Sequence, residues 1–459
     1  MRPSRPWPAP VVALLVILCL SGCATIVVGR SAAPAQEPAV TQSGDVRIVG
    51  AVDGGVDDAA RNALTDLQTY WTEQFPVVFG SRFDPLKGGY FSVDPGNVDP
   101  AAYPQGVGCG SDPRDVEGNA FYCSAPDRPN SDSITYDRSF LGDLADQFGR
   151  FIPALVMAHE FGHAVQVRTT SPPSSIATET QADCLAGSWT RWVAEGKAKH
   201  SRIRAPELDQ VLRGYVQLRD PVGTSTSAQA AHGSLFDRVG AFQEGFDNGP
   251  TACRDHFGPD REFTQGRFSD ADLATQGNLP YAQLVSTVDQ ALPEFWDRAF
   301  TEVFRRPFDP PRIQPFGGTA PSCAPRDRDL VYCPSGHIVA YDQRDLTRRA
   351  YRLGDYAVAT AISIPYALAA RDELGLSVDD QEALRSAVCL TGWFSATVYR
   401  GQVRAVQISP GDLDESVQFL LAYGDDPHVL GDAHLTGFQL VDVFRGGFVE
   451  GAGPCHVRS

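Results

Sequence analysis

The chain holds 459 residues, 42% of them hydrophobic, and carries a formal net charge of −17 at pH 7. That apolar share supports a packed core and excludes wholesale disorder, and the length accommodates two or three domains. The acidic balance argues against nucleic acid and anionic lipid surfaces as main partners, because both require a basic face.

The N-terminus reads as a targeting segment. Arg2 and Arg5 precede "VVALLVILCL", Val11 to Leu20, an apolar run too short to span a bilayer as a mature helix. "LSGC", Leu20 to Cys23, resembles the lipobox of bacterial lipoproteins. That resemblance implies loss of residues 1–22, a lipid on Cys23, and a protein held on the extracytoplasmic side of the cell membrane. Residues 23–48 then serve as the lipidated cysteine and a linker, small and polar after a brief apolar start.

Further along lies "VMAHEFGHAVQ", Val156 to Gln166. Pro153 suits the first turn of a helix, where its missing N–H is no loss. Four residues make about 1.1 turns, so His159 and His163 project from one face and can bind one zinc ion. Glu160 lies beside the first ligand, within reach of a water but outside the ligand set. Gly162 permits close approach of another backbone. The next predicted helix, within "SSIATETQADCLAGSWTRWVAEG", places Glu179 and Asp183 one turn apart. Glu179 is expected as the third zinc ligand, and Asp183 is expected to accept the free N–H of His159 and fix its tautomer. His232 is the candidate donor to the oxyanion formed when water attacks a peptide carbonyl, with a structural histidine as the competing reading.

The chain then repeats itself. "ADCLAGSWTRWVAEG" from Ala182 matches "AVCLTGWFSATVYRG" from Ala387, and "AHGSLFDRVGAFQEGFDNGPTAC" from Ala231 matches "AHLTGFQLVDVFRGGFVEGAGPC" from Ala433. Tyr-Cys blocks at Tyr122 and Tyr332, and Trp-containing blocks at Trp71 and Trp296, recur in the same order. Ordered self-similarity of this kind indicates a duplicated domain. A first copy at 49–265 and a second at 271–459 are expected, joined near Gly266–Pro280. Tyr136 and Tyr341, like Cys184 and Cys389, are 205 residues apart. At that offset His159, Glu160, His163, Glu179 and Asp183 fall on Ile364, Pro365, Leu368, Leu384 and Val388. The second copy therefore lacks the site.

Beyond Cys23 eight cysteines remain, an even number that points to disulfides in an exported chain; none forms a Cys-x-x-Cys pair. The repeat reduces the possible pairings to the same pattern in each half: Cys109–Cys123 and Cys184–Cys253, then Cys323–Cys333 and Cys389–Cys455.

"AHEFGHAVQ", "ETQADCLAGSW" and "HGSLFDRVGAFQEGFDNG", with "FYC" and "ITYD" ahead of them, resemble the neutral zinc metallopeptidase family of bacteria, a gluzincin-like pattern. Together with the lipobox they are similar to the peptidase lipoproteins of actinobacteria. The resemblance covers roughly residues 107–257 and implies one zinc ion, a Glu160 base and Glu179 as third ligand. The chain departs from it by the second, site-less copy and by Ala164, where relatives often carry another histidine. The expected architecture is α+β: an α-rich zincin-like domain followed by its degenerate copy. The expected activity is a lipid-anchored zinc endopeptidase acting on peptide or protein substrates. A catalytically silent envelope scaffold built on the same fold is the alternative.

Overall fold

The computed structural model describes residues 43–457 apart from 170, 171 and 325–327. The expected signal segment, Cys23 and most of the linker lie outside the described residues. Among the described residues no helix is long and apolar enough to cross a membrane. They belong to one compact unit, an α+β mixture dominated by helices.

The first half runs β1 (Ile48–Val49), α1 (Gly55–Phe79), β2 (Gly89–Val93), β3 (Ala120–Cys123), β4 (Ser133–Asp137), α2 (Arg138–Phe148), α3 (Ile152–Val167), α4 (Ser175–Ala194), α5 (Ala205–Leu218) and α6 (Leu235–Asp255). Helix α1 buries Ala60, Ala63, Leu64, Leu67, Tyr70 and Trp71, the spacing of a single helical face turned to a core. Its Asp57 accepts from the hydroxyl of Tyr136 on β4 at 2.5 Å and from the Val52 N–H at 2.7 Å, tying helix to sheet. Helix α3 is buried nearly all round, as befits the central helix of a domain. The sheet order is β1-β2-β4-β3; β2 and β4 run parallel, and β3 is an antiparallel edge strand.

The second half runs α7 (Tyr281–Ala299), β5 (Arg312–Phe316), β6 (Leu330–Cys333), β7 (Ile338–Asp342), α8 (Leu346–Ala350), α9 (Asp355–Glu373), α10 (Gln381–Tyr399), α11 (Asp412–Tyr423) and α12 (Gly437–Glu450). Apart from β1 its element order matches the first half. Its sheet, β5-β7-β6, repeats the parallel pair and the antiparallel edge strand.

The correspondence reaches single contacts. A Cβ on Gly187 would lie 2.0 Å from the carbonyl oxygen of Phe242, and one on Gly245 would lie 1.8 Å from that of Cys184. In the second half a Cβ on Gly392 would lie 1.9 Å from Phe444 O and one on Gly447 1.8 Å from Cys389 O. Only glycine permits backbones this close, so α4 on α6 and α10 on α12 make the same crossing. Each crossing is bridged, Cys184 to Cys253 with Cα atoms 5.6 Å apart and Cys389 to Cys455 at 5.3 Å. Cys109–Cys123 and Cys323–Cys333 are also bonded, each fastening the loop before an edge strand to that strand's end.

The halves meet through α5, α6, α11 and α12. Asp209 on α5 accepts from the N–H groups of Gly437 and Phe438 at the start of α12, at 2.9 and 2.8 Å. Reciprocally, Asp414 on α11 accepts from the Phe236 N–H at the start of α6, at 2.9 Å. Each aspartate thus satisfies donors that a helix N-terminus leaves unpaired. Between them Phe236 and Phe246 pack against Phe448 and Phe438, with ring centroids 4.8 and 5.0 Å apart.

Candidate metal centre

Helices α3 and α4 cross where Gly162 sits: a Cβ there would be 3.0 Å from the Ala182 Cα. The Ser174 hydroxyl accepts from the Ala177 N–H and starts α4, directing Glu179 at the histidines of α3. His159 Nε2 lies 3.2 Å and His163 Nε2 3.5 Å from the same Glu179 Oε2.

Both imidazoles are fixed from behind. His159 Nδ1 bonds Asp183 Oδ1 at 2.8 Å. Asp183 is fully buried and takes two bonds from Arg238, Nε at 2.7 Å and Nη2 at 2.9 Å. Arg238 on α6 in turn donates to the Leu218 carbonyl and lies over the Tyr215 ring. His163 Nδ1 bonds Gln166 Oε1 at 2.8 Å, and the Gln166 amide nitrogen is occupied by Thr178 O and Gln181 Oε1. With acceptors behind both rings, each Nδ1 carries the proton and each Nε2 presents a lone pair. Two imidazole nitrogens and a carboxylate oxygen then converge, a donor set that a shared cation would satisfy.

The spacing fits zinc. Two bonds of about 2.0–2.1 Å at a tetrahedral angle put ligand atoms about 3.3–3.4 Å apart, matching the separations of Glu179 Oε2 from each Nε2. His159, His163 and Glu179 form a cluster able to hold an ion. Without one, protons take its place. Burial opposes a charge on His159, but the Asp183 charge and bonds to Asp183 and Glu179 push it up to about 10. Burial likewise opposes a charge on His163, and the bond to Glu179 outweighs it. Glu179, despite burial, is held well below the usual carboxylate range by its bonds to the two rings.

Glu160 lies beside the cluster and feels the charges of His159, His163 and Glu179. Its Oε2 accepts from the Tyr122 N–H of edge strand β3 at 2.7 Å, and burial raises its affinity for a proton, which suits a base that must first accept one. Strand β3 is held in place by Asp132, which accepts from the Tyr122 hydroxyl at 2.7 Å and from Arg168 at the end of α3 at 2.8 Å.

His232 lies outside the cluster, half-exposed, with Nδ1 3.2 Å from Asp220 Oδ1. The adjacent Gly233 packs on Thr180, one residue from Glu179, so the loop carrying His232 flanks α4. Among the aromatics expected in the core, Trp71, Trp189 and Trp296 are fully buried, while Trp192 and Trp393 pack against its margin.

Arg238, Gln166 and the Tyr122 backbone were not anticipated from sequence. Arg238 had a signal, standing six residues after His232 in a repeated block; its counterpart, 202 residues on, is Leu440. At the positions matching the cluster, Ile364, Pro365 and Val388 are buried and Leu368 and Leu384 half-buried.

Similarity to known proteins is confined to part of the chain. It is 28% identical over 176 residues to the uncharacterized proteins Rv2575 of Mycobacterium tuberculosis (strain ATCC 25618 / H37Rv) and Mb2605 of Mycobacterium bovis, covering 32% of this chain and 58% of each relative. It is 27% identical over 177 residues to the uncharacterized protein YpfJ of Escherichia coli (strain K12), covering 33% of this chain and 58% of that protein. The chain thus spans little more than half the length of the curated relatives it matches. No family model and no solved structure matches it.

Proposed function

We propose that this protein is a zinc-dependent peptide hydrolase with a zincin-like site, held by a lipid on Cys23 at the outer face of a cell membrane. The observation that carries the proposal is the convergence of His159 Nε2, His163 Nε2 and Glu179 Oε2, with both Nδ1 atoms committed behind them. These three residues would hold the ion, which when bound supplies Lewis acidity and makes water acidic near neutral pH. Glu160 removes the proton of the attacking water and returns it to the leaving amine. Asp183 and Arg238 keep His159 in the ligating tautomer. His232 donates to the oxyanion from the loop beside α4.

The matching element order, sheet pattern and glycine crossings support reading the second half as a duplicated, site-less copy that serves as a docking or regulatory module. A silent scaffold is the competing reading, favoured locally by the apolar residues at the second half's site positions. Glu160→Gln decides between them. It is expected to retain about one zinc per chain by metal analysis and to hydrolyse a quenched casein substrate about 10²–10⁴-fold more slowly. Unchanged hydrolysis, or a purified native chain with no zinc, overturns the proposal.

A further inference from the structure

We propose that Asp355, Asp412 and Glu415 form a second cation site, built from oxygen alone, that takes a hard divalent ion of the calcium type. The three are buried and offer carboxylate oxygens within 4.8 Å of one another. Asp355 is 5% exposed; its Oδ2 accepts from the Leu279 N–H at 2.8 Å, while its Oδ1 is buried without a hydrogen-bond partner. A buried carboxylate oxygen left in this state is costly unless a cation meets it. The charges acting most strongly on Asp412 and Glu415 are other carboxylates, Asp355 and Asp414 among them, and Asp414 is already engaged by Arg219.

The first half shows what the second has lost. At the 205-residue offset Asp355, Ser409, Asp412 and Glu415 correspond to Arg150, Arg204, Glu207 and Gln210. Their placement agrees: a Cβ on Gly149 would strike the Gln210 amide and one on Gly354 the Glu415 carboxylate. In the first half Arg150 and Arg204 bond Glu207 at 3.2 and 3.1 Å. In the second half both guanidinium groups are gone and two further carboxylates stand in the locus. Helix N-termini lie at both places, so their dipoles do not replace the lost cations. A metal ion does. The donor set, all carboxylate oxygen with no histidine or cysteine, suits calcium or magnesium and not zinc. Asn278 and Leu279 of the connecting segment bond Asp355 directly, so the ion would fasten the link between the halves.

The test follows thermal unfolding of the full chain with zinc in place and needs no hydrolysis. After treatment with a calcium-selective chelator, millimolar calcium is expected to raise Tm by about 5 °C or more, magnesium by the same or less. The double variant Asp355→Arg with Glu415→Gln, which restores one of the first half's two guanidinium groups and its amide, is expected to unfold at or above the chelated native Tm and to ignore calcium. No response of the native chain to either ion, or an equal response in the double variant, overturns the proposal. Should that variant not fold, calorimetric titration of the native chain decides: absence of saturable binding of calcium or magnesium overturns it as well.

Discussion

The two halves share one element order and fill it differently. In the first, a chain of polar groups passes from Arg238 through Asp183 to His159, and from Gln181 through Gln166 to His163, ending at Glu179. In the second, Leu440, Val388, Ile364, Leu368 and Leu384 occupy the corresponding places, while the glycine crossings and bridges persist. One part of the network does survive. Gln181 donates to Cys253 O at 3.0 Å, and Ser386, at the same place, donates to Cys455 O at 2.5 Å. Arg371, at the place of Gln166, also bonds Ser386 at 2.6 Å, so what is retained supports the bridge between helices, and what is lost is the convergent cluster with the groups behind His159. The groups around His159 are therefore separable from the fold, since the second half places hydrocarbon there.

The sharpest way to break this comparison is Arg238→Leu, which gives the first half the second half's residue at one position only. It leaves the buried Asp183 charge without its guanidinium partner, held by the His159 ring, and is expected to destabilise the protein by about 3–5 kcal/mol in denaturant unfolding. Adding Asp183→Val, completing the second half's apolar pair, is expected to recover most of that loss while zinc affinity stays low. If the double variant is no more stable than the single one, the two halves are not interchangeable at this locus. Next come the bridges. Replacing Cys184 and Cys253 by serine, or Cys389 and Cys455, is expected to cost about 2–4 kcal/mol each, with near-equal values because the loops span 69 and 66 residues. A clear inequality in midpoint would show that the bridges carry unlike loads. The smallest effect concerns the reciprocal contacts: Asp209→Ala is expected to lower stability by about 0.5–2 kcal/mol through loss of a helix cap. Asp414→Ala should cost more, since Arg219 also loses its carboxylate. Thermal unfolding in parallel would rank the two.

How much of this was legible beforehand follows the range of the interactions. The His159/His163 spacing and the Glu179/Asp183 spacing are helical periodicities, visible within one turn. The pairing of the cysteines was legible because the repeat supplied an internal alignment. Arg238 was not, since an arginine among polar residues carries no mark of burial, and its contact with Asp183 depends on how α6 crosses α4. The Tyr122 N–H that holds Glu160 was also hidden, because every residue but proline has such a donor. The segment expected simply to join two domains, Gly266–Pro280, carries more structure than its composition suggests; Asn278 and Leu279 are bonded to α9. For His232 the sequence left two readings, and the structure bonds it to Asp220, outside the ligand cluster.

Consider finally the exchange of aspartates between α5 and α12 and between α11 and α6. Each half begins a helix at whose N-terminus the other half supplies a further acceptor, so separating the halves would remove both acceptors and uncover the phenylalanines between them. The chain is in effect a dimer whose subunits cannot be diluted apart. Covalent tethering fixes their ratio at one to one. That arrangement would let one member lose the convergent cluster while its neighbour continues to lean on it.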